Sequence, residues 1–131
     1  QTDTGGVYGN PTATKLSTLP ADGGVVPIVR YDVAVANYYT AKITHPSAFS
    51  SSPSLSDTVA WTGASSVAQT SVAGMAAYDA AKVVYGSTTS FNLTIAGSTW
   101  FKTASTATYG VSKAFPGGSY TALVQAECIA N

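Results

Sequence analysis

The sequence predicts an all-β fold, an Ig-like or jelly-roll antiparallel β-sandwich of about seven or eight strands with an extended N-terminal segment. Short stretches in which apolar and polar residues alternate recur along the chain, as strands with one buried face require. Clusters of Gly, Pro, Ser and Asn separate these stretches and predict turns. A hydrophobic fraction of 45% and 8 tyrosines indicate that this chain of 131 residues can bury one sizeable core.

Charged residues make up only 9% of the chain, against ~25% in average proteins. The six Lys and Arg residues are scattered and balanced by six acidic residues, so a basic groove for nucleic acid is not expected. No apolar run approaches the ~18–20 residues of a membrane span, so no membrane-spanning segment is expected. Abundant hydroxyl and tyrosine side chains are typical of secreted proteins, and Gln1 looks like a mature end left by signal-peptide removal. We therefore expect an extracellular location.

Residues 1–22 differ in composition from the rest and predict an N-terminal extension, followed by a sandwich domain over residues 23–131. Residues 12–19 are rich in Thr and favour an extended conformation, but they offer few large apolar anchors. A run of turn residues from Pro20 to Gly24 ends the region. The extension is a candidate donor strand for a neighbouring molecule.

The strongest strand pattern lies between residues 25 and 44. Large apolar side chains alternate with other residues over 29–35 and again over 39–43, with a turn or bulge expected at Asn37. Pro27 indicates a strand start or an edge, because proline donates no hydrogen bond to a sheet. Pro46 ends the second strand for the same reason, and it also restricts the residue before it.

A Ser-rich surface loop is predicted over residues 47–57. In residues 74–85, apolar side chains recur at three- and four-residue steps, so one or two helical turns are expected before a strand. Gly97 and Ser98 are predicted to turn one strand back on the next. The strands predicted in this part of the chain span residues 58–63, 90–95, 99–103 and 106–113.

The stretch from Ser119 to Ile129 predicts a closing strand that pairs with strands formed earlier in the chain. A Phe-Pro-Gly-Gly sequence precedes it and permits a sharp reversal, because proline fixes φ and glycine allows positive φ. Cys128 is the single cysteine, so an internal disulfide is excluded, and burial of the thiol as a small hydrophobe is expected. The face predicted to meet the core carries Tyr120, Ala122, Val124, Ala126 and Cys128.

No pattern in the sequence predicts catalysis, and we expect no catalytic residue, no cofactor and no metal. The single histidine, His45, precedes a proline beside a Ser-rich loop, where a surface position is expected. The six acidic residues are dispersed, so they predict neither a glycosidase carboxylate pair nor a metal site. A Gly-x-Ser-x-Gly elbow is also absent. These patterns predict a protein that is not an enzyme.

Asn92-Leu93-Thr94 matches the N-glycosylation sequon. If Phe91, Leu93 and Ile95 face the core, Asn92 faces outward, where a glycan has room. Asn92 is therefore a candidate glycosylation site, and its use depends on the producing cell.

Residues 116–124 resemble the closing strand of secreted pilin and fimbrial β-sandwich subunits, in which a Gly-x-Tyr step precedes alternating apolar residues. In that family an incomplete sandwich exposes a groove, and the N-terminal extension of the next subunit fills it as a strand (donor-strand complementation). Because every subunit both donates and accepts, such contacts generate an open filament. The family's common disulfide is absent here. The resemblance implies a donor segment containing Val7, Thr12, Thr14, Leu16 and Thr18.

The function expected on this basis is a structural subunit of an extracellular filament, either a pilus or fimbria or a biofilm fibre. Its partner is a copy of itself in a head-to-tail homopolymer, with host or surface glycans as further candidates. Two alternatives remain open. A virus capsid or decoration protein shares the small-residue β composition, and a carbohydrate-binding module would use Trp61, Trp100 and the tyrosines as stacking platforms.

Overall fold

The computed structural model describes residues 2–71, 78, 82–110 and 113–131. Two antiparallel sheets enclose a common core, which confirms the all-β sandwich. The described residues form ten strands rather than seven or eight, together with a 3-10 turn at Pro20–Asp22. The strands are β1 (Thr2–Thr4), β2 (Gly9–Thr12), β3 (Lys15–Ser17), β4 (Ile28–Val33), β5 (Tyr39–Thr44), β6 (Val59–Thr70), β7 (Val83–Tyr85), β8 (Thr88–Asn92), β9 (Gly97–Tyr109) and β10 (Gln125–Ala130).

The first sheet is built around β9, because both edges of this strand are paired. β6 follows one edge along its whole length. The other edge is shared, since β4 pairs with residues 97–102 and β3 pairs with residues 106–108. β1 lies outside β4, and β2 lies outside β3. The N-terminal strands thus belong to the same sheet as the longest strands of the protein.

The second sheet has the order β10, β5, β8, β7. β7 and β8 form a hairpin whose turn contains Gly86 at φ 59°, a conformation that glycine adopts without steric cost. The expected pairing of residues 90–95 with residues 99–103 is wrong, because β8 and β9 lie in different sheets. Residues 93–96 instead carry the chain across the sandwich from one sheet to the other.

The core between the sheets is centred on Phe101 of β9. Its ring contacts Phe91 of the opposite sheet at 4.5 Å between centroids. It also makes edge-to-face contacts with Tyr31 at 5.6 Å and with Tyr78 at 6.0 Å, geometries that aromatic quadrupoles favour. Phe101 therefore couples the two sheets through Phe91, and Tyr31 and Tyr78 pack around this contact. The other buried members of the cluster are Val29, Ala41, Ile43, Val67 and Leu93.

A second aromatic cluster closes one end of the sandwich. Phe49, from the Ser-rich loop, lies 4.7 Å from Trp61 of β6 and 6.3 Å from Tyr8 of the N-terminal segment. It also meets Tyr120 at 5.1 Å and Phe115 at 6.0 Å, both from the segment that leads to β10. One half-buried ring thus ties the loop and both terminal segments to β6.

The predicted lengths of β6 and β9 are wrong, because the prediction depended on large apolar residues. β6 and β9 are single strands of 12 and 13 residues, not the short ones expected over 58–63, 99–103 and 106–113. Their inward faces carry small hydroxyl side chains, including buried Ser65, Thr103 and Ser105, which the apolar pattern does not reveal.

The C-terminal strand also departs from expectation. It begins at Gln125 instead of Ser119, and the thiol of Cys128 is exposed rather than buried. β10 is an edge strand, and Val124 and Ala126 are the residues that pack against the core there. The helical turns expected within residues 74–85 fall on residues outside the described part, apart from Tyr78, whereas the strand expected after them is present as β7.

The variant Phe101→Ala tests how much the ring contacts of Phe101 contribute to the free energy of unfolding. The loss of three ring contacts and the cavity left behind should lower the free energy of unfolding by about 3–5 kcal/mol. Urea denaturation measures the change. Val84→Ala, on an exposed side chain, is the control and should change stability by no more than about 0.5 kcal/mol. A loss at Phe101 no larger than the control's would show that this ring does not hold the sheets together.

Candidate functional site

The N-terminal segment is the edge of the first sheet within its own chain. β1 pairs with β4 through the register Thr2↔Arg30, Asp3↔Val29 and Thr4↔Ile28. After Gly5 and Gly6, Val7 and Val25 exchange two backbone hydrogen bonds of 2.9 and 2.8 Å. The expected extension over residues 1–22, separate from a domain over residues 23–131, is therefore not observed in the single chain.

Leu16 and Thr18 are integral to the sandwich, which corrects their assignment to a free donor segment. Leu16 is 5% exposed in β3, and Thr18 is 4% exposed. The hydroxyl of Thr18 donates to the Ser105 carbonyl at 3.3 Å and accepts from the Ser105 amide at 2.9 Å. The pattern of Thr residues gave no sign of these buried hydroxyl contacts, because Thr is equally common on exposed strands.

Thr12 ends β2, and Thr14 lies in the turn that leads to β3. Their hydroxyls lie 3.2 Å apart, and the Thr14 carbonyl accepts from the Tyr109 amide at 2.9 Å. Among the five expected donor residues, only Val7 precedes the β2–β3 hairpin and lies near β1. The part of the N-terminus that can leave the sheet without disturbing buried groups is therefore β1 and the glycines that follow it.

A cavity of about 180 Å³ lies under this part of the chain. Residues 3–8 form one wall, and Val29, Ala122 and Val124 contribute to the others. An open groove of about 560 Å³ adjoins it, between residues 6–10 and residues 115–122. The N-terminal segment thus lies over a gap at the margin where the edges of the two sheets approach each other.

Two tyrosine hydroxyls lie near this margin of the sandwich. Tyr8 hydrogen-bonds Ser105 Oγ at 3.3 Å, and Tyr31 donates to the Glu127 carbonyl at 3.1 Å. Burial raises the pKa of Tyr8, and burial, reinforced by the negative charges of Asp3 and Glu127, raises the pKa of Tyr31. Both phenols are therefore neutral over the physiological pH range. The hydrogen bond of Tyr31 joins β4 to β10 of the second sheet, whereas that of Tyr8 ties the N-terminal segment to β9 of the first sheet.

His45 is buried, 7% exposed, although its neighbours predicted a surface position. Its Nε2 lies 3.3 Å from Ser65 Oγ, which in turn lies 3.2 Å from Thr103 Oγ1. Nδ1 has no hydrogen-bond partner among the described residues, so no carboxylate orients the imidazole as a nucleophile–base pair requires. We interpret the three side chains as a polar contact that links the residue after β5 to β6 and β9.

The other candidate residues are held by their own chain. Asn92 is half-buried in β8, and its amide oxygen accepts from Asn131 Nδ2 at 3.0 Å. Trp61 packs against Phe49, and the Arg30 guanidinium lies 5.2 Å from the centre of the Trp100 ring. Each contact covers part of one tryptophan ring and so reduces the ring surface on which a sugar could stack.

Within the described ranges, no three His, Cys, Asp or Glu side chains converge as metal ligands would. A helix long and apolar enough to cross a membrane is likewise not found in the part of the chain that the structure describes.

Comparison with protein-family models, curated proteins and solved structures gives no match to this chain.

The burial of His45 predicts a pH dependence of stability. Burial lowers the pKa of the imidazole below its value of about 6.5 in the unfolded chain, so the unfolded state binds the proton more readily. Stability should be complete above about pH 6.5, should fall as the pH is lowered through that value, and should level off below the folded-state pKa. Urea unfolding at pH 5 and at pH 7.5 measures the difference.

His45→Gln is the matched variant, because it keeps a polar partner for Ser65 but does not titrate in this range. The carboxyls of Asp22, Asp32 and Asp57, whose pKa values are lowered by their hydrogen bonds, act only below about pH 4. An equal loss of stability in both proteins between pH 7.5 and pH 5 would exclude His45 as the cause.

Proposed function

We propose that the protein is a structural subunit of an extracellular filament that polymerises when β1 of each chain pairs with β4 of the next. The observation that carries this proposal is the weak attachment of the N-terminus. β1 joins its sheet through three residues, lies over a cavity of about 180 Å³, and is followed by two glycines. The segment eligible for exchange is thus much shorter than the expected extension over residues 1–22.

Strand exchange conserves the contacts of the folded chain. The hydrogen bonds that β1 makes to its own β4 are the same in kind as those it would make to the β4 of a neighbour. Concentration and chain entropy, rather than new contacts, then decide between the closed monomer and the polymer. Each chain donates one strand and accepts one. When the donor and the acceptor are different neighbours the contact is heterologous, and it gives an open filament if the rotation between neighbours does not close into a ring.

The sequence around the glycines is suited to a hinge at Gly5. A Cβ at this position would have no atom within 4 Å, so the backbone there is not confined by packing. A Cβ at Gly6 would lie 2.5 Å from the Val25 carbonyl oxygen and from Pro27 Cδ, so Gly6 must remain small to let the chain pass. Flexibility beside a fixed anchor supports release of β1 while Val7 stays paired with Val25.

The extracellular setting of the proposal is supported by composition. Few charges and many hydroxyl side chains are typical of secreted structural proteins. The partner in the proposal is a second copy of the same chain. A capsid or decoration protein with this fold would assemble into closed shells, which electron microscopy distinguishes from fibres.

Deletion of residues 1–6 tests the proposal. The truncated chain should fold, because the buried anchors Leu16 and Thr18 remain, but it should stay monomeric where the full chain forms fibres. Light scattering and negative-stain electron microscopy measure assembly, and the thermal unfolding transition verifies the fold. A peptide of residues 1–8 added in trans should bind the truncated chain. Fibres formed by the truncated chain would contradict the proposal.

A further inference from the structure

β1 carries one charged residue, Asp3, and the register of the sheet places its side chain on the inner face. Asp3 pairs with Val29 of β4, and residues directly opposite each other in an antiparallel pair have their side chains on the same face. Val29 is 4% exposed and belongs to the core. The carboxylate of Asp3 is therefore on the side of β1 where a sandwich normally carries apolar residues.

The surroundings of Asp3 agree with this placement. Asp3 is one of the residues that line the cavity of about 180 Å³, together with Val29, Ala122 and Val124. Burial raises the pKa of the Tyr31 phenol most, and the negative charge of Asp3 adds to this shift, so the carboxylate lies near a ring that is 1% exposed. An acidic side chain thus lies at the margin of the core, beside three apolar ones.

No cation compensates for this position of Asp3 within the described part of the chain. The three salt bridges found there use other carboxylates, those of Asp22, Asp32 and Asp57. The Asp3 side chain is exposed, so water solvates it. Because an unpaired carboxylate loses this solvation when it is buried, Asp3 does not fill the cavity beneath β1 as an apolar side chain would.

We propose that the carboxylate of Asp3 keeps β1 able to leave its sheet, because it stands where an apolar side chain would anchor the strand to the core. The other two residues of β1 are threonines, so the strand contains no apolar residue that could serve instead. This inference rests on the proposed function, in which release of β1 is the step that precedes exchange.

Two backbone amides of β4 report whether β1 is in place. The Thr103 amide of β9 donates to the Pro27 carbonyl at 3.0 Å, so the odd-numbered residues here direct their backbone groups toward β9. The even-numbered residues Ile28 and Arg30 therefore direct theirs toward their register partners in β1. The amides of Ile28 and Arg30 lose their acceptors when β1 leaves the sheet.

The variant Asp3→Val tests the proposal in the full chain, at a concentration too low for assembly. Valine favours the strand conformation and adds an apolar contact with Val29, so the amides of Ile28 and Arg30 should exchange their hydrogens about tenfold more slowly than in the parent chain. Hydrogen exchange followed by NMR measures these rates. The chain that lacks residues 1–6 supplies the rates for an absent β1.

Thr4→Val is the matched control, because it introduces the same side chain one residue further along β1, on the opposite face. Threonine already has the branched shape of valine and favours strands, so this variant should slow exchange by less than about threefold. Asp3→Glu keeps the carboxylate and should leave the rates within about twofold of the parent's. The proposal is overturned if Asp3→Val slows exchange no more than Thr4→Val does, or if Asp3→Glu slows it as much as Asp3→Val.

Fibre formation separates this inference from the filament proposal. If β1 is exchanged between chains, Asp3→Val should form fibres more slowly than the parent chain, although its β1 is held more firmly. Slower hydrogen exchange in Asp3→Val, with no fibres from the parent chain, would contradict the filament and support the role of Asp3 in the attachment of β1. Fibres from the parent chain, with unchanged hydrogen exchange in Asp3→Val, would support the filament and overturn the role of Asp3.

Discussion

The pairing of β9 on both of its edges is the constraint on which the structure depends. This strand carries Phe101, the ring that joins the two sheets, and it holds β6 on one side with β4 and β3 on the other. β1 and β2 reach the sheet only through β4 and β3. We therefore expect the stability of pairing to decrease outward from β9, so β1 and β2 are the strands of this sheet that exchange most easily.

The sequence revealed the strands whose inward residues are large. The alternation around Val29 and Tyr31 predicted β4, and that around Ala41 and Ile43 predicted β5, because period-two burial leaves a clear apolar face. The full lengths of β6 and β9 were hidden, since Ser65, Thr103 and Ser105 fill inward positions with hydroxyls bonded inside the sandwich. Such contacts depend on partners distant in sequence, which local patterns do not contain.

Local sequence patterns also failed to predict which residues of the candidate site are buried. Leu16 is a single apolar residue in a Thr-rich stretch, and its burial follows from the free edge of β9 rather than from its neighbours in sequence. His45 is buried because Gly63 leaves space for the ring: a Cβ there would lie 2.9 Å from Nδ1. Cys128 is exposed because β10 is an edge strand. In each case the neighbours that the fold brings together, not the residue type, decide burial.

The proposed filament would use an outer strand of the first sheet. Exchange of β1 would replace an existing strand, so concentration and chain entropy would control it. Head-to-tail exchange of this kind gives an open chain of subunits when the rotation between neighbours does not close into a ring.

Disulfide trapping across the β1–β4 pair measures strand exchange most directly. Thr4 and Ile28 are register partners, so cysteines at these positions lie within bonding distance whether β1 is in its own sheet or in a neighbour's. The experiment mixes a Thr4→Cys chain with an Ile28→Cys chain, both in a Cys128→Ser background. Strand exchange predicts a disulfide between the two chains under assembling conditions. If only the double variant within one chain forms the bond, β1 does not leave its own sheet and the filament proposal fails.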